Sequence, residues 1–509
     1  MNKYHKPAIL LTMTNTKIVL AFIGIMTVAI LFRFAAITTT PPGLYPDEAV
    51  NGNNGLSAFR TGEFSWFYPE NNGREGLFIN IQALAIHAIG IREPWVLRSV
   101  SAVFGVLTVL GIFFLGKELY GTNIGLLAAL FLAVNFWHVN FSRIGFRAIM
   151  APFFATWGLY CLIKTFHKNS SQWVWWAISA GLLLGGGFHS YIAYRILPAI
   201  ALIVVGYAFI INQDKKIILK KTAVVISVGI IAITPLILYF IENQGSFLGR
   251  TSQVSIFSAA NPLTDLTINI AKTIGMLFVW GDQNWRHNIS GAPALVLPVA
   301  LAFIVGILQA CKHTGTLARK LISRKIASII DRKEFASVLL IGWIGCAALP
   351  VVISNEGIPH ALRSILMIPP IILLAAQGSI VIYQKAKQYV PKKLTVIATI
   401  ILLSGIVIHG YWSYFRVWSE NKNVRDAFTA QYVELGRYIN SLPKETPKYI
   451  IVKGQGTLVR GIPMPAQTVM FITDTYDAEE QKKKNIFYVT AEQEQETSIP
   501  SNAIKIILE

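Results

Sequence analysis

Uncharged stretches of about twenty residues recur along this chain, and they constrain its fold more than any other feature. As a helix, such a stretch crosses the roughly 30 Å of hydrocarbon in a bilayer. In hydrocarbon every backbone polar group must be paired internally, which the helix achieves segment by segment. Eleven spans can be drawn, at 17–37, 95–115, 123–141, 148–165, 172–189, 196–211, 222–241, 292–311, 335–353, 364–383 and 394–411. Weaker apolar stretches at 76–90 and 266–280 read as interfacial or re-entrant. Composition agrees: of 509 residues, 53% are hydrophobic and 14% charged, against roughly 25% charged in soluble domains. A soluble globular enzyme, a disordered chain and a disulfide scaffold are excluded. The three cysteines, Cys161, Cys311 and Cys346, lie in or beside apolar segments and form no disulfide framework or metal motif. The first apolar run has a basic start without a convincing cleavage site, so it reads as an uncleaved first helix.

Charge placement gives the expected sidedness. With the N-terminus cytoplasmic, the loops on its side carry about twice the Lys and Arg of the opposite loops, seven of them between Lys312 and Lys333. The net charge of +19 follows from such loops and does not call for nucleic acid. An odd number of spans puts the C-terminus outside. The tail from Trp412 to Glu509 carries 12 basic and 12 acidic groups, a soluble composition. Its runs Tyr449–Val452, Ile486–Val489 and Ile504–Leu508 read as short strands. The expectation is a cell-membrane, multi-pass α-helical protein. Its membrane domain covers 1–411, with a long first outer loop at 38–94, and a small extracytoplasmic α/β domain covers 412–509. No internal repeat is visible, which disfavours transporters built from paired repeats.

The unusual residues gather on the outer side. The first outer loop carries Asp47 and Glu48 near the bilayer edge, then Arg74 and Glu75 at its end. Adjacent carboxylates on one element point different ways, so one of the first pair is expected to face a substrate. A partly dehydrated carboxylate can act as general base toward a hydroxyl or help hold a divalent cation. The bland alternative is a helix-capping pair. Arg143 and Arg147 are four apart, a spacing that shares a helix face and offers planar forks to phosphate. His189, Tyr191 and Arg195 follow three glycines, Gly185 to Gly187, that permit close helix approach. His360 and Arg363 stand at the mouth of a later span. Carboxylates on one hand and several arginines on the other suit a phosphorylated lipid and a hydroxyl acceptor. The span centres are largely free of charge, which favours an interfacial enzyme over a lipid-linked glycan flippase or transporter. A polysaccharide polymerase or ligase remains a third reading.

Several motifs resemble glycosyltransferase family 39. They are Asp47-Glu48 in a long first outer loop, Gly-Arg-Glu-Gly-Leu-Phe at 73–78, Ser-Arg-Ile-Gly-Phe-Arg at 142–147, Tyr-Ile-Ala-Tyr-Arg-Ile-Leu-Pro at 191–198 and Pro-His-Ala-Leu-Arg at 359–363. That family holds the dolichyl-phosphate-mannose protein mannosyltransferases, is related to bacterial aminoarabinose lipid A transferases, and belongs to the GT-C superfamily. The resemblance covers roughly 17–411. It implies transfer of a sugar, with inversion at its reacting carbon, from a polyprenyl-phosphate donor to a hydroxyl on a protein, lipid or glycan at the extracytoplasmic face. Asp47 matches the catalytic base, Glu48 its acidic neighbour, and Arg74 and Glu75 a charged pair that closes the loop. Arg195, Arg363 and Arg143 or Arg147 would stabilise the departing phosphate, with His189, Tyr191 and His360 at the substrate. No cofactor is assigned. A divalent cation held by Asp47 and Glu75 stays open, because members of the superfamily differ on metal use. The tail after Trp412 is unlike the mannosyltransferases, so the acceptor is not implied.

Overall fold

The computed structural model describes residues 15–167, 171–247, 256, 261–322, 330–355 and 357–509. Among them, nine helices are long and apolar enough to cross a membrane: Asn15–Phe34, Pro94–Tyr120, Arg147–Thr165, Ile192–Ile211, Lys215–Glu242, Leu297–Lys320, Arg332–Val352, Ile365–Tyr389 and Lys392–Trp418. The two other expected spans are shorter. Thr122–Val134 is followed at Asn135 by a separate helix, Phe136–Phe141, because the Asn135 side chain accepts the His138 N–H and starts a new helix there. Trp173–Gly186 gives way to a 3-10 turn at Gly187. Gly76–Ile89, 14 residues long, is too short to span, as its weaker hydropathy suggested.

Small residues let the helices approach closely. A Cβ on Gly306 would sit 2.0 Å from the Leu374 carbonyl oxygen, and one on Gly378 would sit 1.9 Å from that of Ala302. A Cβ on Gly185 would sit 2.4 Å from the Gly229 carbonyl oxygen, the helix approach anticipated for the glycine run. Without a hydrophobic driving force between helices in lipid, such backbone proximity supplies the packing.

Beyond Trp418 the chain forms a compact α/β unit. Strands Lys448–Val452, Ile486–Thr490 and Ile504–Leu508 pair in parallel, with Lys448–Val452 in the centre. All three were expected within a residue. The unit is docked on the Pro46–Thr61 helix of the first loop. Asn53 donates to the Gln467 carbonyl oxygen at 3.0 Å, Asn54 to the Tyr476 hydroxyl at 3.1 Å, and Ser57 to Asp477 at 2.8 Å. The Thr429 and Thr468 hydroxyls both donate to the Leu44 carbonyl oxygen. Gly43, at φ +71°, lies against the backbone of Phe428 and Ala430, where any Cβ would collide.

Candidate active site

One end of the bundle opens into a cavity of about 640 Å³, lined by the first loop, three interhelical segments and the tail. The Pro46–Thr61 helix starts with proline, whose missing N–H costs nothing at that position. Successive side chains on a helix diverge by about 100°, and Asp47 and Glu48 separate accordingly. Asp47 faces the cavity and accepts a hydrogen bond from Asn71 Nδ2. Glu48 turns inward and has no exposure. Its carboxylate accepts from Arg98 Nε at 2.9 Å and Nη2 at 3.0 Å, from the Gly145 N–H at 2.6 Å and from the Tyr45 N–H at 3.2 Å. With these partners it has no free face for a substrate. The expected catalytic role for Glu48 is therefore corrected to a structural one, tying three chain segments together.

Arg74 reaches the cavity, while its guanidinium is gripped by Asn51 and Asn54, each at 2.7 Å. Burial, helped by Arg147, pushes its pKa down to about 10, so it stays charged at neutral pH. Glu75 does not line the cavity. It accepts from Arg147 Nε at 2.7 Å, and Arg147 does line it. A cation between Asp47 and Glu75 would have to compete with Arg147 for the Glu75 carboxylate and with Asn71 for that of Asp47. Arg143 and Arg147 do not share a helix face, because residues 142–146 form turns between the Phe136–Phe141 helix and the 3-10 turn at Arg147–Ile149. Arg143 is fully buried and donates to the carbonyls of Phe32, Ala35 and Thr40, away from the cavity.

Tyr191 lines the cavity, but His189 and Arg195 do not. Two 3-10 turns, Gly187–His189 and Ile192–Ile196, flank the extended Tyr191. At three residues per turn, side chains four apart no longer align. His189 Nε2 pairs with the Ala232 carbonyl oxygen at 2.9 Å, and Arg195 donates to the Phe247 carbonyl oxygen while stacking 4.2 Å above the Phe247 ring. His360 and Arg363 both line the cavity, from turns that precede the last but one span. Arg363 also donates to the Ser354 hydroxyl.

Sequence reasoning missed one wall. The segment after the Pro262–Phe278 helix contributes Asn284, Arg286 and His287. Its signal was available as Asp282, Arg286 and His287, three titratable groups in six residues beside an apolar run. The Arg286 guanidinium stacks 3.8 Å above the Tyr45 ring. His287 Nδ1 donates to Asp282 Oδ2 at 2.9 Å, and the His287 and His360 rings lie 4.9 Å apart. Burial pulls both imidazoles below their usual pKa, so they are neutral at pH 7. Burial works to raise the Asp282 pKa, but the hydrogen bonds it accepts from His287 and the Ala361 N–H outweigh it and hold the carboxyl low. Asp282, His287 and His360 place one ligand atom each within 4.8 Å of one another, a set able to hold a metal ion. The tail closes the remaining side with Thr429, Tyr432, Gln455 to Thr457, Met464 and Pro465.

Comparison with known proteins gives the fold its context. Residues 78–240 match the family model described as dolichyl-phosphate-mannose-protein mannosyltransferase. The motifs at 142–147 and 191–198 fall within that match. No curated protein sequence matches the chain. Among solved structures, the chain is similar to the oligosaccharyltransferase AglB of the archaeon Archaeoglobus fulgidus in complex with an inhibitory peptide and a dolichol-phosphate. That likeness has a TM-score of 0.56 and 13% identity over 94% of this chain and 70% of that one. The oligosaccharyltransferase of the same organism in complex with Zn and sulfate gives 0.53 and 12%, over 92% and 62%. Apo ArnT from Cupriavidus metallidurans gives 0.52 and 12%, over 96% and 89%. The fold is that of the GT-C glycosyltransferases, as the motif resemblance implied.

Proposed function

We propose that this multi-pass membrane protein of GT-C fold transfers a sugar from a polyprenyl-phosphate donor to an acceptor hydroxyl at the extracytoplasmic face. The observation that carries the reading is that Asp47, Arg147, Arg286 and Arg363, from four distant parts of the chain, line one cavity. The matched family model and the dolichol-phosphate complex of a structural neighbour support a lipid-phosphate donor.

The acceptor oxygen attacks the sugar carbon as the bond from that carbon to the phosphate oxygen breaks. Asp47 takes the acceptor proton, and the electron pair of the broken bond leaves on the polyprenyl phosphate. Arg147, Arg286 and Arg363 stabilise the charge that develops there, which fixed dipoles and charges in a poorly hydrated site do better than water. With one base and direct displacement, the sugar carbon inverts. An apolar cleft of about 410 Å³ beside Asn288, lined by Phe131, Val134, Leu295 and Ile406, suits the prenyl chain. The tail wall is where the acceptor would be chosen.

A transporter would need a polar route between the two membrane faces. A second charged cavity, with Glu118, His167, Lys221 and Arg332, has no lining residue in common with the first among the described residues. This favours transfer. The test offers purified protein a set of labelled polyprenyl-phosphate and polyprenyl-pyrophosphate sugars. Consumption of a monophosphate donor with release of polyprenyl phosphate is expected. Turnover of pyrophosphate donors alone would move the protein to the polymerase or ligase class.

A further inference from the structure

We propose that Asp282, His287 and His360 bind one divalent transition-metal ion of the zinc class at the edge of the cavity. This does not rest on the sugar-transfer reading. The residues come from two loops 73 or more positions apart in sequence, so tertiary folding alone brings them together. Both loops are pinned by buried groups. The Trp418 indole donates to the Trp285 carbonyl oxygen at 2.8 Å, Asn140 to that of Arg286 at 2.7 Å, and the Trp137 indole to that of Ala361 at 2.8 Å. Asp282 is fixed in turn: Oδ1 accepts the Asn284 N–H and Oδ2 the Ala361 N–H, both at 2.8 Å. Ligands held this firmly lose little freedom on binding.

The donor set selects the ion. Two imidazoles and one carboxylate suit a borderline metal, whereas magnesium and calcium prefer oxygen alone. The 2.9 Å between His287 Nδ1 and Asp282 Oδ2 is spanned by two bonds of about 2.0–2.1 Å meeting near a right angle. The ion would replace the proton that these two atoms now share, and His360 would supply the third ligand from across the 4.9 Å ring separation. His287 and His360 both border the cavity, which leaves an open coordination position there for water or an anionic oxygen. Arg286 and Arg363 oppose a second positive charge nearby. Arg286 is stacked on Tyr45 and Arg363 is bonded to Ser354, so they lower affinity without filling the site.

The experiment uses the full chain in detergent, stripped with a chelator and titrated with Co²⁺ and then Zn²⁺. Wild-type protein should take up about one equivalent of Co²⁺, with visible ligand-field bands that Zn²⁺ abolishes. His287→Gln and His360→Gln should each lower bound metal at least ~10-fold, with His189→Gln as the unaffected control. Absence of saturable binding in the wild type, or unchanged binding in both variants, overturns the proposal. If the variants do not fold, the wild-type spectrum decides: intense bands of a low-coordinate nitrogen and oxygen site support it, and weak six-coordinate bands overturn it. Metal binding without sugar transfer would leave this inference standing while removing the reaction, so the two failures are distinguishable.

Discussion

Two regions at the same end of the bundle use the same residue types to opposite effect. In the sealed collar, Glu48 and Arg98 are both within 1% of complete burial and bond to each other through two contacts. In the cavity wall, Asp47, Arg147, Arg286 and Arg363 keep part of their surface toward open space. Asp47 and Glu48 are neighbours in sequence, yet one belongs to each region. The lesson concerns saturation. A buried charge whose hydrogen bonds are all made inside the protein fixes architecture, and removing its partner is costly because the other charge is stranded. A charge with an unused face is available to a ligand.

Single substitutions put the division between sealed and open charges to the test. Asp47→Asn should lower sugar transfer at least ~100-fold, the range for losing a general base, with the melting temperature unchanged. Full activity in a membrane assay would remove Asp47 from its role. Glu48→Gln should do the reverse, costing about 3 kcal/mol of stability through the stranded Arg98, seen as a lowered melting temperature and poor yield. Arg363→Ala should raise the donor KM about tenfold, the loss of one charge-assisted hydrogen bond, while expression stays within twofold. Equal losses in KM and expression would move Arg363 into the collar class. Gly43→Ala should weaken docking of the tail by about 1–3 kcal/mol through the clash at φ +71°, read as faster hydrogen exchange in the Pro46–Thr61 helix. Arg60→Ala, which loses partly exposed bridges to Asp474 and Asp477, should cost less than about 1 kcal/mol and mostly at low salt.

The helical membrane architecture was legible because hydropathy over twenty residues is a local property. So were the three tail strands, short runs of β-branched and aromatic residues in an otherwise polar tail. The site was legible in part. Asp47, Arg74, Arg147, Tyr191, His360 and Arg363 line the cavity as a set of polar residues at span ends would. Glu48, Glu75, Arg143, His189 and Arg195 share with them a place at the outer ends of spans, and only for Arg143 and Arg147 does the sequence argument lean on a helix face, where turns and a 3-10 segment actually run. Burial decides between the two groups, and burial depends on partners far away in sequence. Gly145 and Arg98, the partners of Glu48, lie 97 and 50 residues from it. Asp282 and His287 fall in the gap between the stretch read as interfacial, 266–280, and the next span, and His360, which completes their cluster, is 73 positions beyond His287.

Because the tail rests on the very helix that presents Asp47, with threonine hydroxyls on the Leu44 carbonyl and a glycine pressed to its backbone, the two cannot be inherited or engineered apart. A chimera that grafts a foreign tail to redirect acceptor choice would have to carry the first loop along with it. The exchangeable module runs across both ends of the chain, although in sequence it looks like two unrelated pieces.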